Sequence, residues 1–168
     1  HGEREYANQG FPTAAVNTAH QGKPGDNVFW GKQTEEAAIF RVSDYFLSLL
    51  PHLNPWLKKQ LHHGKYHVPE FGGIYSPDVF VFRENQDANF TYLATPVTVA
   101  IIASVPYNMC HHSPHHSSPG SRGKYVRGTK EKIRALFRIA AHHGNTVVVV
   151  GDYGCTEMHN HPKIVSHL

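Results

Sequence analysis

The fold is decided by the stretch Val16-Asn-Thr-Ala-His-Gln-Gly-Lys-Pro-Gly-Asp-Asn-Val-Phe-Trp-Gly-Lys-Gln-Thr-Glu-Glu36. It begins inside Thr13–Asn17, a short run of small and β-branched residues that predicts a buried strand. Gly, Pro, Asp and Asn then cluster in Gln21–Asn27, which is typical of a loop. Thr34 is a suitable N-cap, and the two glutamates after it would lie in a first helical turn, where the helix dipole favours acids.

Outward from this stretch, apolar patterns predict further strands and helices. The helix after Thr34 would continue to Pro51 on an apolar stripe of Ile39, Val42, Phe46 and Leu49. The next segments predict two short extended pieces in Ile74–Phe82 around Ser76-Pro77-Asp78, a strand over Thr95–Val105 and a surface loop over His111–Gly128. A helix is then predicted from Thr129 to Gly144, with Ile133, Leu136, Phe137 and Ala140 buried. A central strand over Thr146–Val150 and a helix from Pro162 to Leu168 complete the chain's predicted elements. This alternation indicates one α/β domain over residues 1–168, with a largely parallel sheet and helices on both faces.

Composition excludes several classes of protein. The chain has 168 residues, 40% hydrophobic, so it is long enough to bury one ordinary core and too apolar for a disordered tail. Its longest apolar run is far shorter than a membrane helix. A net charge of +3 permits an anionic ligand but does not favour a nucleic-acid partner, and two cysteines exclude a disulfide-rich scaffold. Composition does not define the cellular compartment.

Two glycine-containing loops are the candidate binding site. In open α/β sheets, ligands bind beyond the carboxyl ends of the strands. The loops Pro24–Trp30 and Gly151–His159 both follow predicted strands, so we expect them to meet in one cleft. Backbone N–H groups and helix amino termini bind phosphate groups, which makes a phosphate-bearing ligand the expectation. No metal ion or cofactor is needed for this interpretation.

Three segments resemble one family. The opening stretch, the element Tyr75-Ser-Pro-Asp-Val79, and Gly151-Asp-Tyr-Gly-Cys155 followed by Asn160 are similar to motifs of the microbial-type poly(ADP-ribose) glycohydrolase (PARG) catalytic domain, a branch of the macrodomain fold. The resemblance implies a three-layer α/β/α domain with a mixed, largely parallel sheet. It also implies that some N-terminal elements of the relatives, including part of the adenine pocket, lie outside this sequence.

The resemblance also implies roles for individual residues. Glu36 would act as the acid and base that hydrolyse an O-linked ribosyl bond, and Glu35 would orient ribose hydroxyl groups. The implied ligand contacts are Asn17 on the distal ribose, Gly25, Asn27 and Val28 on the diphosphate, Tyr153 and Gly154 on the opposite wall, and Phe29, Cys155 and Asn160 nearby. The implied partners are ADP-ribose and ADP-ribosylated protein or polymer.

The sequence departs from this family in both loops, which leaves other functions open. Where the family has three glycines, this chain has Gly25, Asp26 and Asn27, and Asp26 would bring a negative charge to the diphosphate. Thr156 and Met158 replace a glycine and an aromatic residue in the second loop. One alternative is a macrodomain that binds ADP-ribose or another nucleotide without catalysis. Another is a histidine-rich metal-binding or structural protein, since His111, His112, His115 and His116 follow Cys110.

Overall fold

A computed structural model of the chain describes residues 6–7, 9–20, 24–50, 68–110 and 119–168. In these ranges the elements are β1 (Thr13–Thr18), α1 (Glu35–Val42), α2 (Tyr45–Leu49), β2 (Ile74–Arg83), β3 (Tyr92–Ser104), α3 (Pro119–His142), β4 (Val147–Val149) and α4 (Pro162–Val165), with 3-10 turns at Val28–Trp30 and Gln86–Ala88.

The described strands form one sheet in the order β2-β3-β1-β4. β1 pairs in parallel with β3 and with β4, whereas β2 and β3 are antiparallel. The sheet is therefore mixed and largely parallel, as predicted. The prediction of a central strand at Thr146–Val150 was wrong for the described sheet, since β4 is a three-residue strand at its edge. Because β1 is parallel to both β3 and β4, the carboxyl ends of all three strands lie at the same end of the sheet. The segments that follow these strands therefore start close together.

Helices pack on both faces of the sheet. Side chains alternate along a strand, so Ala14 and Val16 of β1 face one side, where they pack with Leu136 and Ala140 of α3. Asn17 lies on the opposite face, where α1 and α2 cover the apolar side chains of β2 and β3. The predicted three-layer α/β/α arrangement is confirmed, and its alternation directs Asn17 towards α1.

The predicted helix from Thr34 to Pro51 is interrupted at Ser43. The Ser43 hydroxyl donates to the carbonyl of Ile39 at 2.6 Å, and Ser43 forms an isolated antiparallel bridge with Val81. Hydrogen bonds to the neighbouring strand thus replace the helical pattern, and a second helix starts at Tyr45. Pro51, the predicted stop, lies outside the described residues. The apolar stripe spans both helices, so periodicity alone did not detect the break.

β2 differs from the two predicted extended pieces. It is one strand whose register with β3 shifts between Ser76 and Val79. A β-bulge of this kind accommodates Pro77, which has no N–H to donate, without ending the strand.

The long helix α3 begins ten residues before the predicted Thr129. Residues 111–118 of the predicted loop lie outside the described part of the chain, but Pro119–Gly128 is helical, which corrects that prediction. The buried side chains of α3 have helical spacing. They are Tyr125, Thr129, Lys132, Leu136 and Ala140, of which Thr129 and Lys132 are polar. Phe137, predicted to be buried, is 51% exposed. Pro119–Gly128 contains one proline and three glycines, so its composition favoured a loop over a helix.

Candidate functional site

The amino end of α1 faces the carboxyl end of β1. Thr34 caps α1, with its hydroxyl accepting the N–H of Ala37 at 3.3 Å. Glu35 and Glu36 occupy the first turn, as predicted, and Glu36 is only 1% exposed. A carboxylate in this position is stabilised by the helix dipole.

Both carboxylate oxygens of Glu36 are held by β1 and the residues that follow it. Asn17 Nδ2 donates to Glu36 Oε1 at 3.2 Å, and the backbone N–H of His20 donates to Oε2 at 3.0 Å. Asn17 Nδ2 also lies 3.3 Å from the Tyr45 hydroxyl oxygen. Burial and the charge of Glu36 raise the pKa of Tyr45 against the opposing effect of Asn17, so this hydroxyl stays protonated. Sequence analysis missed Tyr45 and the N–H of His20, whose contacts with Glu36 depend on the tertiary fold.

Asn17 has an unused acceptor beside Glu36. Its side chain is fully buried, and in the described structure its Oδ1 atom has no hydrogen-bond partner. A buried acceptor without a donor costs about 1–3 kcal/mol. A ligand hydroxyl that donates to this atom would recover that cost.

The first loop contains successive residues in the left-handed backbone region. Gly25, Asp26 and Asn27 have φ values of 75°, 41° and 62°. The backbone N–H of Val28 closes the turn on the carbonyl of Gly25 at 2.8 Å, whereas the N–H groups of Asp26 and Asn27 make no hydrogen bond within the described residues. Free successive N–H groups in such a turn form a concave anion-binding surface.

Asp26 meets a cation inside its own loop. The residue is 2% exposed, and its Oδ2 atom lies 2.7 Å from Lys32 Nζ. The charge that would oppose a diphosphate is therefore compensated by the loop itself.

The second loop is organised by Asp152. One carboxylate oxygen accepts the N–H of Gly154 and the other accepts the N–H of Thr156, both at 2.8 Å. Burial raises the pKa of the Asp152 carboxyl, but hydrogen bonds from Thr156, Gly154 and Cys155 outweigh burial and lower it below its ordinary value of 3.8. Tyr153 and Gly154 have φ values of 47° and 79°, and the Tyr153 hydroxyl lies 3.0 Å from Ser104 Oγ.

Asn160 fixes the second loop to the rest of the fold. Its Nδ2 donates to the carbonyl of Tyr107 at 2.9 Å and to that of Gly154 at 3.3 Å, and its Oδ1 accepts the Tyr125 hydroxyl at 2.9 Å. The side chain is 2% exposed. These bonds join the loop to the end of β3 and to α3.

The second loop meets the start of α1. A Cβ on Gly151 would collide with the carboxylate of Glu35, so glycine allows the close approach. Glu157 Oε1 accepts the backbone N–H of Glu35 at 2.9 Å. The second loop therefore lies against the start of α1. Both loops follow the carboxyl ends of parallel strands, β1 and β4, so they leave the same end of the sheet. Glu157 was not among the predicted site residues. The one feature of the sequence that could have indicated it is its position as a charged residue in a glycine-containing loop.

The remaining predicted contacts lie around this end. The Val28 side chain lies beside Gly25, since a Cβ on Gly25 would be 3.1 Å from Val28 Cγ1. Phe29 and Trp30 are 66% and 76% exposed. Cys155 is half-buried, and burial together with the charge of Asp152 raises the pKa of its thiol. Cys110 and Cys155 are both free thiols.

Two cavities border the site. One, of about 370 Å³, lies between α1 and the sheet and is lined in part by Glu35, Gly151 and Ile101. The other, of about 430 Å³, lies beyond the ends of β1 and β3. The first is lined by Glu35 itself, and the second by His20, whose N–H donates to Glu36.

Metal and membrane features give little further definition. In the described ranges, no group of three or more His, Cys, Asp or Glu side chains could hold a metal ion. The four histidines after Cys110 lie outside those ranges. No described helix is long and apolar enough to cross a membrane.

Comparison with known proteins identifies the resemblance. Residues 2–84 match the family model of the microbial-type PARG catalytic domain. The fold superposes on PARG from Deinococcus radiodurans in complex with ADP-ribose, with 25% identity, a TM-score of 0.72, and coverage of 98% of this chain and 63% of that chain. It also superposes on PARG from Thermomonospora curvata bound to the inhibitor ADP-HPD, with 27% identity, a TM-score of 0.75, and coverage of 99% and 60%. No curated protein sequence matches the chain.

Proposed function

We propose that this chain, which resembles the microbial-type PARG catalytic domain and has its fold, binds ADP-ribose and hydrolyses an O-linked ribosyl bond. The observation that carries the proposal is the buried Glu36 carboxylate at the start of α1, which accepts hydrogen bonds from Asn17 and from the N–H of His20. The second loop is bonded to the neighbouring Glu35. The chain spans about three fifths of the length of the PARG structures it matches, so activity is a proposal for this chain itself.

The first loop would bind the diphosphate. Its free N–H groups at Asp26 and Asn27 suit phosphate oxygens, and the Asp26–Lys32 ion pair limits the repulsion. The second loop would form the opposite wall, with less to donate, because Asp152 already occupies the N–H groups of Gly154 and Thr156. The diphosphate would therefore depend mainly on the first loop.

Glu36 would perform the proton transfers. In its acid form it gives its proton to the ribosyl oxygen as the bond from the ribose carbon to that oxygen breaks, and the leaving group departs as an alcohol. A water molecule then adds to the oxocarbenium-like carbon and returns one proton to Glu36. The products are ADP-ribose and the alcohol. Asn17 Oδ1 would accept a ribose hydroxyl, and Glu35 would orient the sugar from the side of the second loop.

Turnover of an ADP-ribosylated substrate by Glu36→Gln tests the catalytic assignment. We expect kcat to fall about 10²- to 10⁴-fold, the usual contribution of a general acid or base. Binding of ADP-ribose, measured by calorimetry, should change little, since the amide keeps a similar shape and one acceptor. Glu131→Gln on the exposed surface of α3 is the matched control. Equal turnover in Glu36→Gln and wild type would reject Glu36 as the catalytic residue.

A second candidate function is binding of ADP-ribose without hydrolysis. The observation that favours it is the carboxylate of Asp26 in the position of a family glycine. Binding by wild type without turnover of any ADP-ribosylated substrate would support this alternative.

A further inference from the structure

The cavity beyond the ends of β1 and β3, which we call the Lys132 pocket, adjoins the Glu36 site. Its lining includes His20, Glu70, Tyr107, Lys132 and Met158. The backbone N–H of His20 is the donor to Glu36 Oε2, so the pocket begins one residue away from the proposed acid.

The pocket extends away from the loop that would bind the diphosphate. Among the described residues, none of 24–31 lines it, and the second loop contributes only Met158. In a substrate whose diphosphate lies on the first loop and whose ribose lies at Glu36, the group beyond the scissile bond continues on the other side of Glu36. We assign this group to the Lys132 pocket, because His20 both lines the pocket and donates its N–H to Glu36.

Lys132 brings a buried cation to the pocket. It is 5% exposed, and its Nζ atom donates to the carbonyl of Glu70 at 2.6 Å and lies 4.7 Å from the centre of the Tyr107 ring. An ammonium group has three donors. Within the described structure Glu70 is its only hydrogen-bond acceptor, so donors remain for a ligand. Burial lowers the pKa of Lys132, and the Glu70 carboxylate offsets part of that effect.

Tyr107 forms one wall of the pocket through a specific fit with α3. A Cβ on Gly128 would come within 2.8 Å of the Tyr107 ring, so glycine in the middle of the helix makes room for it. The Tyr107 hydroxyl donates to Glu70 Oε1 at 2.9 Å. Burial and Glu70 raise the pKa of Tyr107 to about 12, so the hydroxyl remains a donor. Glycine is the poorest helix former after proline. The contact with Tyr107 explains why the helix nevertheless has glycine at position 128.

We propose that Lys132 is a specificity-determining residue: the pocket receives the leaving group of the ribosyl bond, and the Lys132 ammonium binds a phosphate of that leaving group. This inference rests on the proposed function. A phosphate fits because Lys132 is a cation with unused donors in a largely enclosed position. If the ribosyl bond joins ADP-ribose to a side chain of a protein, the leaving group is that side chain, which brings no phosphate to Lys132.

Steady-state kinetics with two substrates tests the inference. One is a short ADP-ribose polymer, whose leaving group carries phosphates, and the other is ADP-ribose linked to a small uncharged phenol. In Lys132→Met we expect KM for the polymer to rise at least about tenfold, as loss of a charged hydrogen bond implies, with KM and kcat for the phenol substrate unchanged. Lys130→Met, on the exposed surface of α3, is the matched control.

A second variant guards against a folding defect in Lys132→Met. Glu70→Gln removes the negative charge beside Lys132 while leaving the backbone carbonyl that Lys132 uses. We expect KM for the polymer to fall severalfold and the phenol kinetics to stay constant. Equal effects on both substrates, or none on either, would overturn the inference alone, as would hydrolysis of the phenol substrate without the polymer. Hydrolysis of neither substrate by wild type would overturn the proposed function and the inference with it.

Discussion

Asp26 and Asn27 show what the first loop requires of its residues. Left-handed backbone is accessible to Asn and Asp at a modest cost, whereas most other side chains are strained there. Gly25 differs, because a Cβ at that position would lie 2.9 Å from Cδ1 of Phe40. Position 25 therefore needs glycine for lack of space, whereas positions 26 and 27 need only residues that tolerate a left-handed backbone, as Asp and Asn do. Lys32 neutralises the one substitution that adds charge.

Glu157 performs two opposing tasks at the site. Its carboxylate caps the amino end of α1 through the N–H of Glu35, which anchors the second loop beside Glu36. In the proposed complex the second loop is the opposite wall of the diphosphate site, so the same carboxylate would add a negative charge there. The first task needs only an acceptor oxygen, whereas the second depends on charge.

Variants of Glu157 separate these tasks. Glu157→Gln keeps an acceptor and removes the charge, so Kd for ADP-ribose should fall about three- to tenfold, as expected for one partly screened charge. Glu157→Ala removes both, and the free energy of unfolding should fall by about 1 kcal/mol, the usual value of a lost cap. Calorimetry and thermal unfolding measure the two effects. Weaker binding in Glu157→Gln would contradict this account.

At the scale of the element, the second loop is a turn built on one ionised side chain. The pKa of Asp152 lies below its ordinary value of 3.8 in the folded chain. Its hydrogen bonds thus stabilise the fold fully above pH 3.8, and this contribution is lost as the pH falls through the folded pKa.

Thermal unfolding as a function of pH checks this behaviour. Asp152→Asn lacks the charge and one acceptor, so at neutral pH its Tm should be lower than that of wild type. The difference should shrink below about pH 4, where the unfolded carboxyl takes up its proton. A difference that stays constant from neutral to acid pH would show that Asp152 does not act as an ionised acceptor.

Local signals in the sequence predicted the elements on which they depend. The strand at Thr13, the cap at Thr34 and the helix end at Gly144 follow from residue type and spacing, and the structure has all three. The break at Ser43 depends on pairing with β2, which periodicity does not register. The early start of α3 was hidden by the proline and the three glycines of Pro119–Gly128, since both residue types have low helix propensity.

The same distinction between local signals and tertiary contacts applies to the candidate site. The two loops and the glutamate pair carry motifs, so their positions in the chain could be read from sequence. The contacts of Glu36 with Asn17 and of Glu35 with Glu157 join distant residues, and only the fold brings them together.

At the scale of the whole molecule, sheet order assembles the site. β1 lies between β3 and β4 in parallel, so three segments that are far apart in sequence leave the sheet together. Asn160 then binds the end of β3, the second loop and α3. The position of Glu36 is thus a property of the whole fold rather than of α1 alone.

A crystal structure of the chain soaked with ADP-ribose tests the central claim most directly. The account predicts the pyrophosphate on the free N–H groups of Asp26 and Asn27, and the terminal ribose within hydrogen-bonding distance of Glu36 and Asn17 Oδ1. Electron density for the ligand elsewhere on the molecule, or an unliganded cleft between the two loops at saturating ADP-ribose, would contradict it.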